Sequence, residues 1–161
     1  MKTLYLIRHA KAEEHALTKS DFNRNLIPKG KERAKTIAKE LAGTFNIDNN
    51  TYVLSSSAHR ALQTAEIFCE ALQFPLSKIQ VTDHIYEAHF TAILKEINTV
   101  SKEYDKVLVF GHNPGLSNLI NYLSHAELEL ATSHVAILQL EPGIEFSILS
   151  GGTANLVGLL K

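Results

Sequence analysis

Thr3-Leu4-Tyr5-Leu6-Ile7-Arg8-His9-Ala10 begins as an apolar run and passes without a break into an arginine and a histidine. Its β-branched and aromatic content predicts a strand buried on both faces, as in a parallel sheet covered by helices above and below. Such a strand stops where charge begins, at Arg8. A histidine at the carboxyl end of a buried strand lies in the crevice where open α/β sheets hold their ligands, which makes His9 the candidate working residue. Taken alone, a histidine in that place is more often a polar stop than a reagent. The case for His9 rests on three later strand candidates that also end in a reactive or cationic residue.

A length of 161 residues suits one domain, here residues 1–161, large enough to bury a core without disulfides or structural metals. A formal net charge of -1 leaves no electrostatic footprint for nucleic acid or a membrane surface, so any anion site has to be local. The single cysteine, Cys69, rules out an internal disulfide framework and fits a reducing compartment. The first apolar run, Leu4 to Ile7, is too short for an export signal, and no stretch approaches the roughly 20 apolar residues of a spanning helix. The expectation is a soluble, cytoplasmic protein.

After His9, the polar stretch Lys11 to Pro28 carries Glu13, Glu14, His15, Lys19, Asp21 and Arg24, and reads as a long excursion near the crevice mouth. Ala34, Ile37, Ala38, Leu41, Ala42 and Phe45 then recur at helical spacing, up to the stop signal Asn46-Ile47-Asp48-Asn49-Asn50. A second strand, Tyr52 to Ser55, leads through serines expected to cap a helix whose buried stripe is Ala58, Ala61, Leu62, Ala65, Phe68, Cys69 and Leu72. Arg60 falls in its first turn, off the stripe, where an anion would meet a guanidinium and free backbone N–H groups together. A weaker strand, Ile79 to Val81, precedes Glu87, and a helix carrying Ala92, Ile93, Ile97 and Val100 follows. Lys106 to Phe110 is the clearest strand after the first, and it ends in Gly111-His112-Asn113-Pro114-Gly115. Asn113 is the expected N-cap and Pro114 the first helical residue. Near the carboxyl terminus His134–Leu140 and Ile144–Leu149, separated by Glu141-Pro142-Gly143, read as a hairpin at an antiparallel edge of the sheet.

Strands alternating with helices predict a three-layer α/β/α domain with a mainly parallel sheet, in which all carboxyl ends of the parallel strands share one rim. Arg8, His9, Arg60, Glu87 and His112 would then meet at one crevice. Two guanidiniums and two imidazoles make a cup suited to a phosphoryl group, and an imidazole beside an arginine supplies a nucleophile able to form a covalent intermediate. Arg8, Arg60 and His112 would hold the charge that develops on the phosphoryl oxygens, with Asn113 of the same turn in the candidate phosphate-binding set. A metal route is the competing enzyme reading. The sequence lacks His-x-His, a helical His-Glu-to-His pair and a carboxylate cluster at the strand ends, so no metal or other cofactor is expected. His15, His59, His84, His89, His125 and His134 are taken as surface or structural residues, His59 and His134 being the two nearest to candidates.

The ordered set Leu6-Ile7-Arg8-His9-Ala10, Ser56-x-Ala58-x-Arg60-Ala61-x-Gln63-Thr64-Ala65 and Gly111-His112-Asn113 resembles the histidine phosphatase superfamily, which also contains the cofactor-dependent phosphoglycerate mutases. The compact length and the segment Asp21-x-x-Arg24-x-Leu26-x-x-x-Gly30 look like its small bacterial phosphohistidine phosphatases of the SixA type. The resemblance implies that His9 is the phosphorylated nucleophile, that Arg8, Arg60 and His112 form the phosphate pocket, and that no metal takes part. Ala10 stands where the superfamily's motif usually has glycine. Larger members carry a catalytic glutamate followed by a long covering insertion; here Glu87, the candidate general acid, is followed by none.

An alkoxide leaving group needs a proton from a general acid, whereas an imidazole, with a reference pKa of about 6.5, leaves with far less help. A short, open site therefore suits phosphohistidine in a partner protein better than an enclosed sugar phosphate. A broad phosphomonoesterase for small metabolites and a non-catalytic module that docks phosphoproteins are the alternatives.

Overall fold

A computed structural model of the chain describes residues 1–46 and 48–161; Ile47, in the predicted stop signal, lies outside the described residues. The strands are β1 (Thr3–Arg8), β2 (Thr51–Ser56), β3 (Gln80–Thr82), β4 (Lys106–Gly111), β5 (Val135–Leu140) and β6 (Ala154–Leu160). The helices are α1 (Pro28–Ala42), α2 (His59–Leu72), α3 (Phe90–Ile97) and α4 (Gly115–Ser124). One sheet runs in the order β3-β2-β4-β1-β5-β6. Its first four members are mutually parallel, β5 runs antiparallel to β1, and β6 antiparallel to β5. The predicted fold class is the one observed.

Alternation along the central strands explains the layers. Leu4 and Leu6 of β1, with Val107 and Val109 of β4, face a core that α3 and α4 close with Ile93, Ile97, Leu116, Leu119, Ile120 and Leu123. Tyr5 and Ile7, with Leu108 and Phe110, face the opposite core, closed by Ile37 and Leu41 of α1 and by Phe68, Cys69 and Leu72 of α2. Residues of one strand thus divide between two helical layers by the twofold pleat alone.

Three expectations are corrected. Ile144–Leu149 is not a strand: Phe146–Ile148 forms a short 3-10 turn, and the partner of β5 is the apolar tail Ala154–Leu160. Phe146 and Leu149, three residues apart, both enter the core, and the Asn98 side chain donates to both their carbonyls at 2.7 and 3.2 Å. That spacing suits a 3-10 turn and not a strand. No serine caps α2, because Ala58 holds the N-cap position without a side-chain bond, while Ser56 and Ser57 are drawn to His112 and Asp83. The start of α4 is also displaced: Gly115 is the first helical residue and Pro114 occupies the cap. Asn113 still serves the helix, since its Oδ1 accepts from the Ser117 N–H at 3.2 Å and hydroxyl at 2.9 Å.

Candidate active site

Register brings the two candidate histidines together. Arg8 pairs with Gly111 across β1 and β4, so His9 and His112 are each one step past the ends of neighbouring strands. Their ring centroids lie 5.3 Å apart. Hydrogen bonds fix the exit of β1: the His9 N–H donates to Gly111 O at 3.0 Å, the Ala10 N–H to Thr64 Oγ1 at 2.9 Å, and the Ser133 N–H to the carbonyls of Arg8 and His9 at 3.1 and 3.2 Å. The Thr64 hydroxyl donates in turn to Arg60 O at 2.7 Å, which ties the histidine segment to the first turn of α2.

His9 is buried, and its Nδ1 lies 2.7 Å from the Ala10 carbonyl. A carbonyl only accepts, so Nδ1 carries the proton and Nε2 keeps its lone pair. Burial, together with the charges of Arg60, Arg8 and Arg24, brings the His9 pKa down to about 4, against a smaller opposing effect of the Ala10 carbonyl. The ring is therefore neutral near pH 7. His112 is held lower still, at about 3, by burial, His9 and Arg60. Its Nε2 lies 2.8 Å from Ser56 Oγ, and the same Oγ accepts from the Ala58 N–H at 3.2 Å, so one serine at the end of β2 orients the imidazole and the entry to α2.

Arg60 is not a solvated surface arginine: only 4% of it is exposed. Its Nη1 donates to the Asp21 carbonyl at 2.8 Å and its Nη2 to Asp21 Oδ2 at 3.0 Å. Arg8 donates through Nη1 to Leu130 O at 3.1 Å. The Asn113 amide bridges two segments, Nδ2 donating to Leu130 O, 17 residues on, at 2.6 Å while Oδ1 serves Ser117 in α4. Glu87 is exposed, with a left-handed backbone at φ 50°, and shares a cleft of about 410 Å3 with Ala88, His89, His112, Asn113 and Pro114. It belongs to the rim, beside His112. His59 and His134 pair with Asn25 and Arg33 respectively.

Sequence reasoning passed over two members of this cluster. In the sequence Asp21 is only one polar residue of the long excursion and of the family-like segment, and Tyr86 carries no motif of its own. Yet Asp21 Oδ2 accepts from the Tyr86 hydroxyl at 2.6 Å, and Asp21 Oδ1 lies 3.2 Å from Arg24 Nε. Gln63 of α2 fastens the Lys11-to-Pro28 excursion that carries Asp21: its Oε1 accepts from the Leu26 N–H at 2.8 Å and its Nε2 donates to Asn25 Oδ1 at 2.9 Å. A glutamine four residues after the helix start, beside a polar loop of this length, was the available signal. Among the described residues, no group of three or more His, Cys, Asp or Glu side chains is placed to hold a metal ion, and no helix is long and apolar enough to cross a membrane.

The arrangement places a neutral imidazole with a free lone pair beside a second imidazole, the buried guanidinium of Arg60 and the half-buried one of Arg8. It can receive a phosphoryl group and stabilise its oxygens. The comparisons agree. Among solved structures, the protein assigned as phosphohistidine phosphatase SixA from Agrobacterium tumefaciens is 25% identical, with a TM-score of 0.81 over 99% of this chain and 97% of its own. That assigned as SixA from Nakamurella multipartitia is 24% identical, with a TM-score of 0.83 over 99% and 95%. A protein histidine phosphatase SixA complexed with tungstate is 24% identical, with a TM-score of 0.81 over 99% and 96%. The curated proteins gave no match. A family profile described as histidine phosphatase superfamily, branch 1, matches residues 4–106, well over half of the chain. The chain therefore belongs to branch 1 of the histidine phosphatase superfamily and is a phosphatase.

Proposed function

We propose that this phosphatase removes the phosphoryl group from phosphohistidine in a partner protein, without a metal, through a phosphohistidine intermediate on His9. His9 Nε2 attacks phosphorus, the bond from phosphorus to the substrate imidazole breaks, and that imidazole, already protonated on its other nitrogen, departs neutral. Water then attacks the phosphorus on His9, releasing inorganic phosphate and restoring the neutral ring. Arg8, Arg60 and His112 hold the phosphoryl oxygens during both displacements. The observation that carries this reading is the Nδ1-to-carbonyl bond of His9, which leaves Nε2 as an unprotonated nucleophile in a site cationic enough to draw a phosphoryl group. The partner is a phosphorylated histidine-containing protein, and the reaction takes place in the cytoplasm.

The test is trapping. Incubation with a small phosphoramidate donor and a quench in base should give acid-labile phosphate on His9, lost in His9→Ala and unaffected by a chelator. Absence of label in the wild type, with donor still bound equally by His9→Ala, would instead support a docking module. Loss of label on chelation would revive a metal route.

A second reading is favoured by one observation. Glu87 shares the rim cleft with His112, where an acid could protonate an alkoxide, as a broad phosphomonoesterase requires. Glu87→Gln should then slow an alkyl phosphate more than phosphohistidine; equal losses would remove Glu87 from the acid role.

A further inference from the structure

Tyr86 lies in the loop between β3 and α3 and touches three separate parts of the cup. Its hydroxyl donates to Asp21 Oδ2 at 2.6 Å. The Arg60 guanidinium carbon lies 5.9 Å from the centre of its ring. The ring also makes edge contacts with His112 at 5.6 Å and with Phe22 at 5.3 Å. No step ascribed to His9, Arg8 or His112 uses these contacts.

Asp21 explains what they accomplish. Its carbonyl and Oδ2 take the two terminal nitrogens of Arg60, at 2.8 and 3.0 Å, and so fix the plane of the guanidinium. An arginine fork recognises phosphoryl oxygens only when that plane is set, and setting it restrains about 2 kcal/mol of side-chain entropy. Asp21 has to be fixed as well, or the pair would swing together. A phenol donating to a carboxylate at 2.6 Å is a short, charge-assisted bond of the kind that does this. Without it, Oδ2 would put its full charge on Arg60 and leave less of the guanidinium for an incoming anion.

We propose that Tyr86 is a positioning residue for phosphoryl binding: its hydroxyl, acting through Asp21, sets the Arg60 guanidinium in the orientation that meets a phosphoryl oxygen. The inference rests on Arg60 being a phosphoryl ligand, as under Proposed function. The charged and titratable groups facing Asp21 are Arg60 from α2, Arg24 from its own segment, His15 from the excursion at 3.6 Å, and Tyr86. Burial raises the Asp21 pKa, but the Tyr86 hydrogen bond and the charges of Arg60 and Arg24 outweigh it and hold the carboxyl at about 2. Burial and Asp21 push the Tyr86 phenol up to about 12, so it stays a donor through the neutral range.

The experiment measures tungstate binding by calorimetry and titrates the Asp21 side-chain carboxyl by 13C NMR, in the wild type, Tyr86→Phe and Asp21→Asn. Tyr86→Phe keeps the ring against Arg60, His112 and Phe22 and should melt with the wild type. Its tungstate affinity should fall about tenfold, for a lost charge-assisted bond, while the Asp21 midpoint moves upward. Asp21→Asn should also weaken tungstate, although it makes the cup more positive by one charge. Tighter binding by Asp21→Asn would make Asp21 a mere competing anion and overturn the proposal. So would an unchanged affinity in Tyr86→Phe, or a fall without movement of the Asp21 midpoint, which would credit the ring and not the hydroxyl. Failure of the wild type to bind tungstate at all would instead defeat the phosphoryl reading of Arg60, and the proposal with it.

Discussion

His9 and His112 are buried neutral imidazoles, and that fixes the sign of their effect on stability. Their folded pKa values of about 4 and about 3 lie below the 6.5 of a free histidine. Between those limits the unfolded chain binds more protons than the folded one, so stability is lost as pH falls from 6.5 toward 4, and nothing is gained above 6.5. Replacing His9 with glutamine removes one such group. Urea unfolding at pH 7 and pH 4.5 should therefore show a smaller loss for His9→Gln than for the wild type, by about 2 kcal/mol. An equal loss in both would mean that His9 is protonated in the folded protein. Ser56 is the other residue with a sharp consequence. Ser56→Ala removes the partner of both His112 Nε2 and the Ala58 N–H. It should cost about 1–2 kcal/mol of stability and lower turnover more than substrate affinity, as read from thermal melts and steady-state kinetics.

Among the elements, α1 takes its place through a missing side chain. A Cβ on Gly30 would stand 2.2 Å from the Lys11 carbonyl oxygen, so the helix packs directly on the backbone two residues beyond His9. The same carbonyl accepts the Ile27 N–H at 3.1 Å, just ahead of the helix. Gly30→Ala should therefore destabilise by about 1–3 kcal/mol, the usual cost of overpacking, and should also depress turnover by shifting the His9 segment. Gly43, at the far end of α1, is the control: a Cβ there meets Glu40 O at an ordinary 3.4 Å and the backbone is right-handed, so Gly43→Ala should be neutral or slightly stabilising. Comparable melting losses in the two variants would contradict this account. The ends of the elements also explain what the sequence concealed. The Phe146 turn looked like a strand because Ile144, Phe146 and Ile148 alternate, but its conformation answers to the core positions of Phe146 and Leu149 and to Asn98, 48 residues from Phe146.

For the molecule as a whole, the two hydrophobic cores lie on opposite faces of one sheet and share its central strands. We propose that the chain unfolds as one domain, since neither core can lose β1 or β4 without opening the other. Tyrosine signals should report both halves: Tyr52 and Tyr104 meet edge to face at 5.1 Å, and Tyr5 meets Phe45 the same way at 5.1 Å. Denaturation followed by far-UV and near-UV circular dichroism should give coincident transitions. Separate midpoints would divide the chain into two cooperative units.

The parallel α/β layering and the residues that end its strands are legible along the chain, because burial on both faces and helical spacing are local patterns and a parallel sheet has one polarity. From these, the meeting of His9, Arg60 and His112 at a single rim could be read before any contact was known. Which groups hold those residues in place depends on contacts between distant parts of the chain. Asp21 and Tyr86 are 65 residues apart, and Arg60 is buried because a polar loop folds over it, a fact that its exposed-looking helical position does not carry. The displacement of Asn113 from the cap of α4, and of the edge strand to Ala154–Leu160, has the same cause: hydrogen-bond partners and core positions supplied by distant chain overrode what capping and alternation suggested locally.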